Sequence, residues 1–181
     1  GKKNIIGSYY TPQKIAYNMT KDFDLSNGEL FFDPCCGSGA FLLTVTASEP
    51  NQIFGVDNDK VAVMISKINM LLKYKDIEFI PQIYCIDFLM GYSVIQQHPI
   101  FEKKFDYIAT NPPWGAMDDY SNIYAITSKE TFSYFFVKAI EQLKESGTIR
   151  FLFPEAILNV KVHKDIREFI LDRAGLVSIT T

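Results

Sequence analysis

The chain is poor in the residues that build metal centres and disulfide scaffolds. Its 181 residues include three cysteines and two histidines. Cys35 and Cys36 are adjacent and no Cys-x-x-Cys pair occurs, so we expect no disulfide framework and no metal site. Reduced thiols favour a cytoplasmic protein. His98 and His163 stand alone in the sequence, and we interpret them as surface or core residues.

An excess of basic residues is also lacking. Lysine and arginine together number 18 against 21 aspartates and glutamates, which gives a net charge of -3. Proteins that hold many phosphates present a basic face or tract, so these residues by themselves are predicted to bind duplex DNA poorly. No apolar run approaches the roughly 20 residues of a membrane span, and we expect no membrane partner.

The sequence does contain enough hydrophobic material for one core, at 48% of its residues. β-rich runs predict strands at residues 29–33, 52–56, 82–86, 105–110, 148–153 and 176–179. Helices are predicted at residues 39–47 and 162–171. Apolar residues at helical spacing predict two more helices, the second preceded by a capping box at residues 127–130. The first carries Val61, Met64, Ile65, Ile68, Leu71 and Leu72, and the second Phe132, Phe135, Phe136, Ala139, Ile140 and Leu143.

This alternation predicts an α/β fold, a doubly wound and mostly parallel sheet with helices on both faces. Such sheets bind ligands at the carboxyl ends of their strands. The first predicted strand ends in Asp33-Pro-Cys-Cys-Gly-Ser-Gly39-Ala-Phe, whose glycines permit a sharp turn into a helix N-terminus. Leu42 replaces the third glycine of a dinucleotide fingerprint. Asp33 suits a cationic amino group better than a pyrophosphate.

The next two predicted strands also end in acidic residues. Asp57 stands 20 residues after Gly37, the spacing at which a carboxylate reaches a ribose diol. Asp57 also suits a helix N-cap, but after an acidic glycine turn we prefer ribose binding. Asp87 could accept from an adenine amino group while Phe88 covers the ring. The same two residues also fit a loop cap beside a core phenylalanine.

The fourth predicted strand ends in Thr110-Asn-Pro-Pro-Trp114. Two consecutive prolines fix φ and remove two N–H donors, which leaves carbonyl acceptors available. Asn111 adds a side-chain acceptor and Trp114 an aromatic face, so the segment suits a planar group that bears an NH2. Residues 115–127 are predicted to form a mobile loop beside the pocket for that group. Tyr120 and Tyr124 in this loop either contact the target or pack against the rest of the protein.

Together these segments resemble the motifs of S-adenosylmethionine-dependent amino-methyltransferases, which have a Rossmann-like fold. The glycine turn is similar to their cofactor motif, and Asn111-Pro-Pro-Trp114 is similar to their catalytic motif. Upstream, Gly7-Ser-Tyr-Tyr-Thr-Pro12 resembles a segment of the DNA adenine-N6 methyltransferases of restriction–modification systems. The resemblance therefore implies methyl transfer from S-adenosylmethionine to the N6 amine of an adenine flipped out of DNA.

The resemblance also implies a role for each matching residue. The implied catalytic residues are Asn111, Pro112, Pro113 and Trp114. The implied cofactor-binding residues are Tyr10, Thr11, Pro12, Asp33, Pro34, Cys35, Gly37, Gly39, Phe41, Asp57, Asn58, Asp87, Phe88 and Asn111. Residues 1–28 would flank the cofactor, and residues 29–181 would form a catalytic domain that ends before the final hairpin and lacks a target-recognition domain. Implied partners are DNA, reached mostly through that missing domain, and specificity or nuclease subunits.

Three other functions compete with this interpretation. The same chemistry could act on RNA, at guanine N2 or adenine N6, or on a protein glutamine amide. A non-catalytic cofactor-binding subunit is a second possibility, against which the intact Asn-Pro-Pro-Trp segment counts. A nicotinamide-dependent oxidoreductase is opposed by Leu42 and Asp33.

Overall fold

The computed structural model describes residues 11–90, 98–115, 126 and 130–180. Tyr10, Tyr120 and Tyr124 lie outside these ranges, as do most of the loop predicted at residues 115–127 and of the capping box predicted at residues 127–130. None of the helices formed by the described residues is long and apolar enough to cross a membrane.

A five-stranded sheet with the order β3-β2-β1-β4-β5 organises the chain. All four neighbouring pairs are parallel, so every strand ends at the same edge of the sheet. Because β1 lies in the middle, the chain runs outward to β2 and β3 and then crosses over to β4 and β5. The strands are β1 (Phe31–Asp33), β2 (Ile53–Asp57), β3 (Gln82–Cys85), β4 (Phe105–Thr110) and β5 (Leu143–Phe151).

Helices cover both faces of this sheet. Consecutive residues of a strand point to opposite faces, and accordingly Phe31 and Phe32 belong to two separate hydrophobic cores. The core around Phe31 is covered by α1 (Gln13–Thr20), α2 (Ala40–Thr44) and α3 (Lys60–Lys73). The core around Phe32 is covered by α4 (Thr131–Glu141) and α5 (Lys164–Arg173). The doubly wound α/β fold is therefore confirmed.

The predicted helix at α3 forms, but its apolar stripe does not face the sheet. All six residues of the stripe are exposed, from 43% at Ile65 to 67% at Leu72. The buried side of α3 carries Val63, Ser66 and Met70 instead. A small residue is needed there because α3 passes close to the glycine turn. Helical spacing thus predicted the helix correctly and its buried face wrongly.

Several predicted boundaries were also wrong. The chain at residues 176–179 is not a strand, because no neighbouring strand among the described residues pairs with it and its large side chains are exposed. β5 begins at Leu143 rather than residue 148, after a register shift against β4. α4 begins at Thr131, and Glu130 at its N-cap makes no side-chain cap hydrogen bond. Helix α1 was not predicted. Only two of its residues, Ala16 and Thr20, are buried, so the segment has no clear apolar stripe at helical spacing.

Candidate active site at the carboxyl edge of the sheet

The glycine turn after β1 is built to approach α3 closely. Cys36 N donates to Val56 O at 2.9 Å, which carries the contact with β2 one step beyond the strand. Gly39 has φ of 97°, and a Cβ there would lie 2.8 Å from Ser66 Oγ. Asn69 Nδ2 donates to Ser38 O at 3.0 Å and fixes the far side of the turn. The turn thus requires glycine at 39 for both its conformation and its packing.

Asp33 ends β1 as a fully buried carboxylate. Its Oδ1 accepts from Thr110 Oγ1 at 2.7 Å and from Cys35 N at 3.1 Å. Its Oδ2 is buried and has no hydrogen-bond partner among the described residues. Burial raises the pKa of Asp33 to about 7, and the nearby Asp57 carboxylate adds to the rise. An unpaired carboxylate oxygen of this kind suits a cationic ligand group.

Asp57 ends β2 and faces the glycine turn. Its Oδ2 accepts from Gly37 N at 2.8 Å and its Oδ1 from Asp59 N at 2.9 Å. The alternative role as helix N-cap belongs to Asp59, whose Oδ1 accepts from Val61 N and Ala62 N. Asp57 therefore does not cap α3, and its carboxylate lies against the glycine turn at the carboxyl end of β2. Asn58, the next residue, is exposed at the same edge.

Beyond β3, Asp87 and Phe88 behave differently from each other. Asp87 is half-buried, and its Oδ1 accepts from Leu89 N and Met90 N, which closes a turn. Phe88 is only 2% exposed, and its ring packs in the core. The ring centroid lies 5.9 Å from that of Phe32. The expected covering of an adenine by the Phe88 ring is thus not what the structure shows, because the ring is buried in the core.

The segment after β4 contributes a further unpaired acceptor, the side-chain oxygen of Asn111. Asn111 Nδ2 donates to Thr11 Oγ1 at 3.2 Å, which links the segment to a residue near the N-terminus. Asn111 Oδ1 is buried without a hydrogen-bond partner in the described part of the chain. Trp114 is 40% exposed next to it. Gly115 O accepts from Thr131 N at 3.1 Å and from Thr131 Oγ1 at 2.8 Å, which anchors the segment to the start of α4.

The structure brings most of the predicted residues to this edge, including the backbone of Pro34, Gly37, Gly39 and Pro112. Phe41 is an exception, because its side chain is 2% exposed and lies in the core beneath α2. Pro12 stands at the N-cap position of α1. Cys35 and Cys36 are free, and burial raises the pKa of both thiols well above the ordinary value, so neither is a ready nucleophile.

Sequence reasoning missed Thr110 and Ser66. Thr110 could have been found, since it is the last residue of the strand whose neighbour ends in Asp33. Ser66 could not, because its role depends on how closely α3 approaches Gly39. The described residues hold no group of three histidine, cysteine, aspartate or glutamate side chains arranged for a metal ion. His98 accepts from Ile100 N through Nδ1, and His163 is buried against Phe132.

Comparison with known proteins finds related methyltransferases. The chain is 33% identical to the type II methyltransferase M.VspI from Vibrio sp. (strain 343), over 93% of this chain and 42% of that protein. It is 27% identical to the type I restriction enzyme EcoEI methylase subunit from Escherichia coli, over 96% of this chain and 38% of that protein. The chain thus spans about two fifths of the length of these relatives.

A solved structure supports the fold independently. The methyltransferase subunit of a type I restriction–modification system from Streptococcus thermophilus superposes with a TM-score of 0.71 at 21% identity, over 93% of this chain and 40% of that one. The family model described as N-6 DNA methylase matches residues 1–180. Nearly the whole chain is covered by that match, and so the protein belongs to the N-6 DNA methylase family.

Proposed function

We propose that this chain is the catalytic unit of a restriction–modification methyltransferase that transfers a methyl group from S-adenosylmethionine to the N6 amine of adenine in DNA. The observation that carries the proposal is the buried, unpaired Asn111 Oδ1 in the segment that follows β4. An acceptor without a partner is costly unless a ligand supplies a donor. The amine of a target base supplies one.

The unpaired Asp33 Oδ2 supports the choice of cofactor. S-Adenosylmethionine carries an ammonium group that this oxygen can accept from, and its sulfonium supplies a methyl group ready for transfer. Gly37 leaves open space where a Cβ would stand, so the backbone there can approach a ligand. Asp57 would hold the ribose hydroxyls beside that glycine. Asp87 would accept from the amino group of the cofactor adenine.

At the target end, Asn111 and Pro112 would prepare the amine as a nucleophile. The lone pair of an exocyclic amine is delocalised into the base, which makes the nitrogen weakly nucleophilic. Two acceptors, Asn111 Oδ1 and the Pro112 carbonyl, would draw its hydrogens out of the base plane and localise the lone pair on nitrogen. Fixed dipoles of this kind stabilise the charge that develops during transfer. Holding the nitrogen in line with the methyl group lowers the barrier further.

Trp114 would hold the target base against this acceptor pair. A base inside a duplex hides its N6, so it must leave the stack before it can react. The half-exposed indole offers a face on which the extruded base can stack. Relatives named as restriction-system methyltransferases favour DNA over an RNA or a protein amide as the substrate. The same relatives support partner subunits as well as DNA, as in the type I methylase subunits.

Single-turnover methylation of an adenine-containing duplex tests the proposal, with the full-length protein as enzyme. Asn111→Ala should lower the rate on the order of 10² to 10³-fold while cofactor affinity stays within about twofold, because Asn111 acts on the target amine. Trp114→Ala should weaken capture of the base, and Trp114→Phe should retain much of the activity. Asn51→Ala, at an exposed asparagine that precedes β2 and so lies at the opposite edge of the sheet, is the control. Methylation by Asn111→Ala at the wild-type rate would show that the segment is only a rigid turn.

A further inference from the structure

Lys138 on α4 is a charged residue in an almost entirely apolar setting. Its side chain has no exposed surface, and its neighbours along the helix, Val137 and Ala139, are buried apolar residues. Lysine is rarely buried to this degree without a specific role for its ammonium group. Burial lowers the pKa of Lys138 to about 8, although the Glu141 and Asp87 carboxylates oppose that change. The chain therefore bears a cost for placing an ammonium group at this position.

The ammonium group reaches the loop that follows β3. Lys138 Nζ donates a hydrogen bond to the backbone oxygen of Phe88. It also lies 4.9 Å from the ring centroid of Phe88 and 4.4 Å from that of Phe101. Cation–π contacts at these distances are attractive, and more so when water is excluded. Lys138 thus holds Phe88 at both its backbone and its side chain.

Phe88 directly follows Asp87, the residue that would accept from the cofactor adenine. The position of the Asp87 carboxylate depends on the backbone of this loop, since Asp87 Oδ1 also accepts from Leu89 N and Met90 N. A shift of the Phe88 peptide would therefore move the carboxylate. The ring of Phe88 is inside the core and makes no face for the ligand.

We propose that Lys138 is a positioning residue for base recognition in the cofactor site, because its grip on Phe88 sets where the Asp87 carboxylate stands. This inference rests on the proposed function. Because Lys138 has no exposed surface, it would not touch the cofactor itself. By fixing the Asp87 carboxylate, Lys138 lets the site distinguish an amino group on the purine ring from a carbonyl oxygen. The carboxylate accepts a hydrogen bond from the amino group and repels the carbonyl oxygen.

The experiment compares two stable ligands, S-adenosylhomocysteine and S-inosylhomocysteine. In the second, a carbonyl oxygen replaces the amino group and the adjacent N1 carries a hydrogen. Their dissociation constants are measured by calorimetry for the full chain and for Lys138→Met, a substitution that keeps an unbranched side chain of similar length and removes the ammonium group. Lys138→Met should weaken the adenosyl ligand about tenfold, the equivalent of one well-made hydrogen bond. The inosyl ligand should change little, so the ratio of the two constants should fall about tenfold.

A matched control separates positioning from general stability. Phe136→Leu alters the same helix on a side that packs against Phe151 and Phe153, away from the Asp87 loop. It should lower the melting temperature and leave the ratio unchanged. Replacing a buried charge by an apolar group is commonly tolerated by a fold. Lys138→Leu gives a second apolar replacement for the same measurement if the methionine variant does not fold.

The outcomes are distinct. A wild-type ratio in the folded Lys138 variants, or an equal fall of the ratio in Phe136→Leu, overturns the inference and leaves the proposed function intact. A wild-type chain that binds neither ligand, or that binds both equally, contradicts the proposed cofactor site itself. A fall of the ratio confined to the Lys138 variants supports both.

Discussion

Thr110 Oγ1 donates a hydrogen bond to Asp33 Oδ1 at 2.7 Å, between two fully buried residues at the ends of neighbouring strands. The bond joins the end of β1, which belongs to the proposed cofactor site, to the end of β4, which leads into the proposed target site. It also fixes the rotation of the Asp33 carboxylate, so that Oδ2 is the oxygen left for a ligand. A change at Thr110 should therefore be felt at Asp33.

Cofactor affinity should rise with pH around neutrality. A cationic ligand group favours the ionised form of Asp33, whose pKa in the unliganded chain is raised to about 7 by burial. Affinity should therefore increase as pH passes from about 6 to about 8, and binding near pH 7 should release protons. Thr110→Val removes a hydrogen bond that lowers this pKa, so its midpoint should move to higher pH. Calorimetry across this range checks the shift, and Thr110→Ser is the control that keeps the hydroxyl.

Folding stability without cofactor should follow the opposite trend. The raised pKa means that the folded chain holds a proton on Asp33 more tightly than the unfolded chain does. The resulting stability is fully present below the unfolded pKa near 4 and is lost as pH rises to about 7, for a change on the order of 4 kcal/mol at most. Asp33→Asn keeps an acceptor for Thr110 and Cys35 and cannot ionise. Urea unfolding at pH 5 and pH 8 should show a smaller loss for this variant, and equal losses would contradict the raised pKa.

Two nearby aspartates should separate cofactor binding from helix capping. Asp57→Ala should weaken S-adenosylmethionine by roughly 1–3 kcal/mol, because charge-assisted hydrogen bonds to the ribose are lost. Asp59→Ala removes the N-cap of α3, so it should lower the free energy of unfolding by about 1 kcal/mol and leave cofactor affinity unchanged. Calorimetry and urea unfolding on both variants make the comparison. Equal affinity for wild type and Asp57→Ala would remove Asp57 from the site.

The glycine turn offers a test by double substitution. Gly39→Ala should destabilise the chain by roughly 2–4 kcal/mol, since a positive φ is strained for alanine and the new Cβ would meet Ser66 Oγ. Ser66→Ala removes that oxygen, and the nearest atom would then be the Cβ of residue 66 at 3.6 Å. The double variant should thus recover part of the loss. Gly37→Ala, which would meet no atom within 4 Å, should be milder, and a purely additive double variant would argue against the steric cause.

The sequence predicted the architecture, and the positions of residues at the strand ends, well where the information was local. β4 was predicted at its observed limits, and the acidic and amide residues at strand ends do gather at one edge. The errors arose where tertiary contacts decide. Helical periodicity cannot say which of two faces is buried, and on α3 the tight approach to Gly39 selects the side with Ser66. The sequence fitted two roles for Phe88 equally well, a cover for a ligand or a core residue. In the structure its ring packs against Phe32 in the core.

The three residues of β1 lie between β2 on one side and β4 on the other. Their backbone amides are shielded along both edges, so exchange of those protons with solvent requires the middle of the sheet to come apart. Asp33 is the last residue of β1, and Asn111 directly follows the neighbouring strand β4. The distance between Asp33 Oδ2 and Asn111 Oδ1 should therefore persist as long as the sheet stays folded. Local unfolding elsewhere in the chain should leave this distance unchanged.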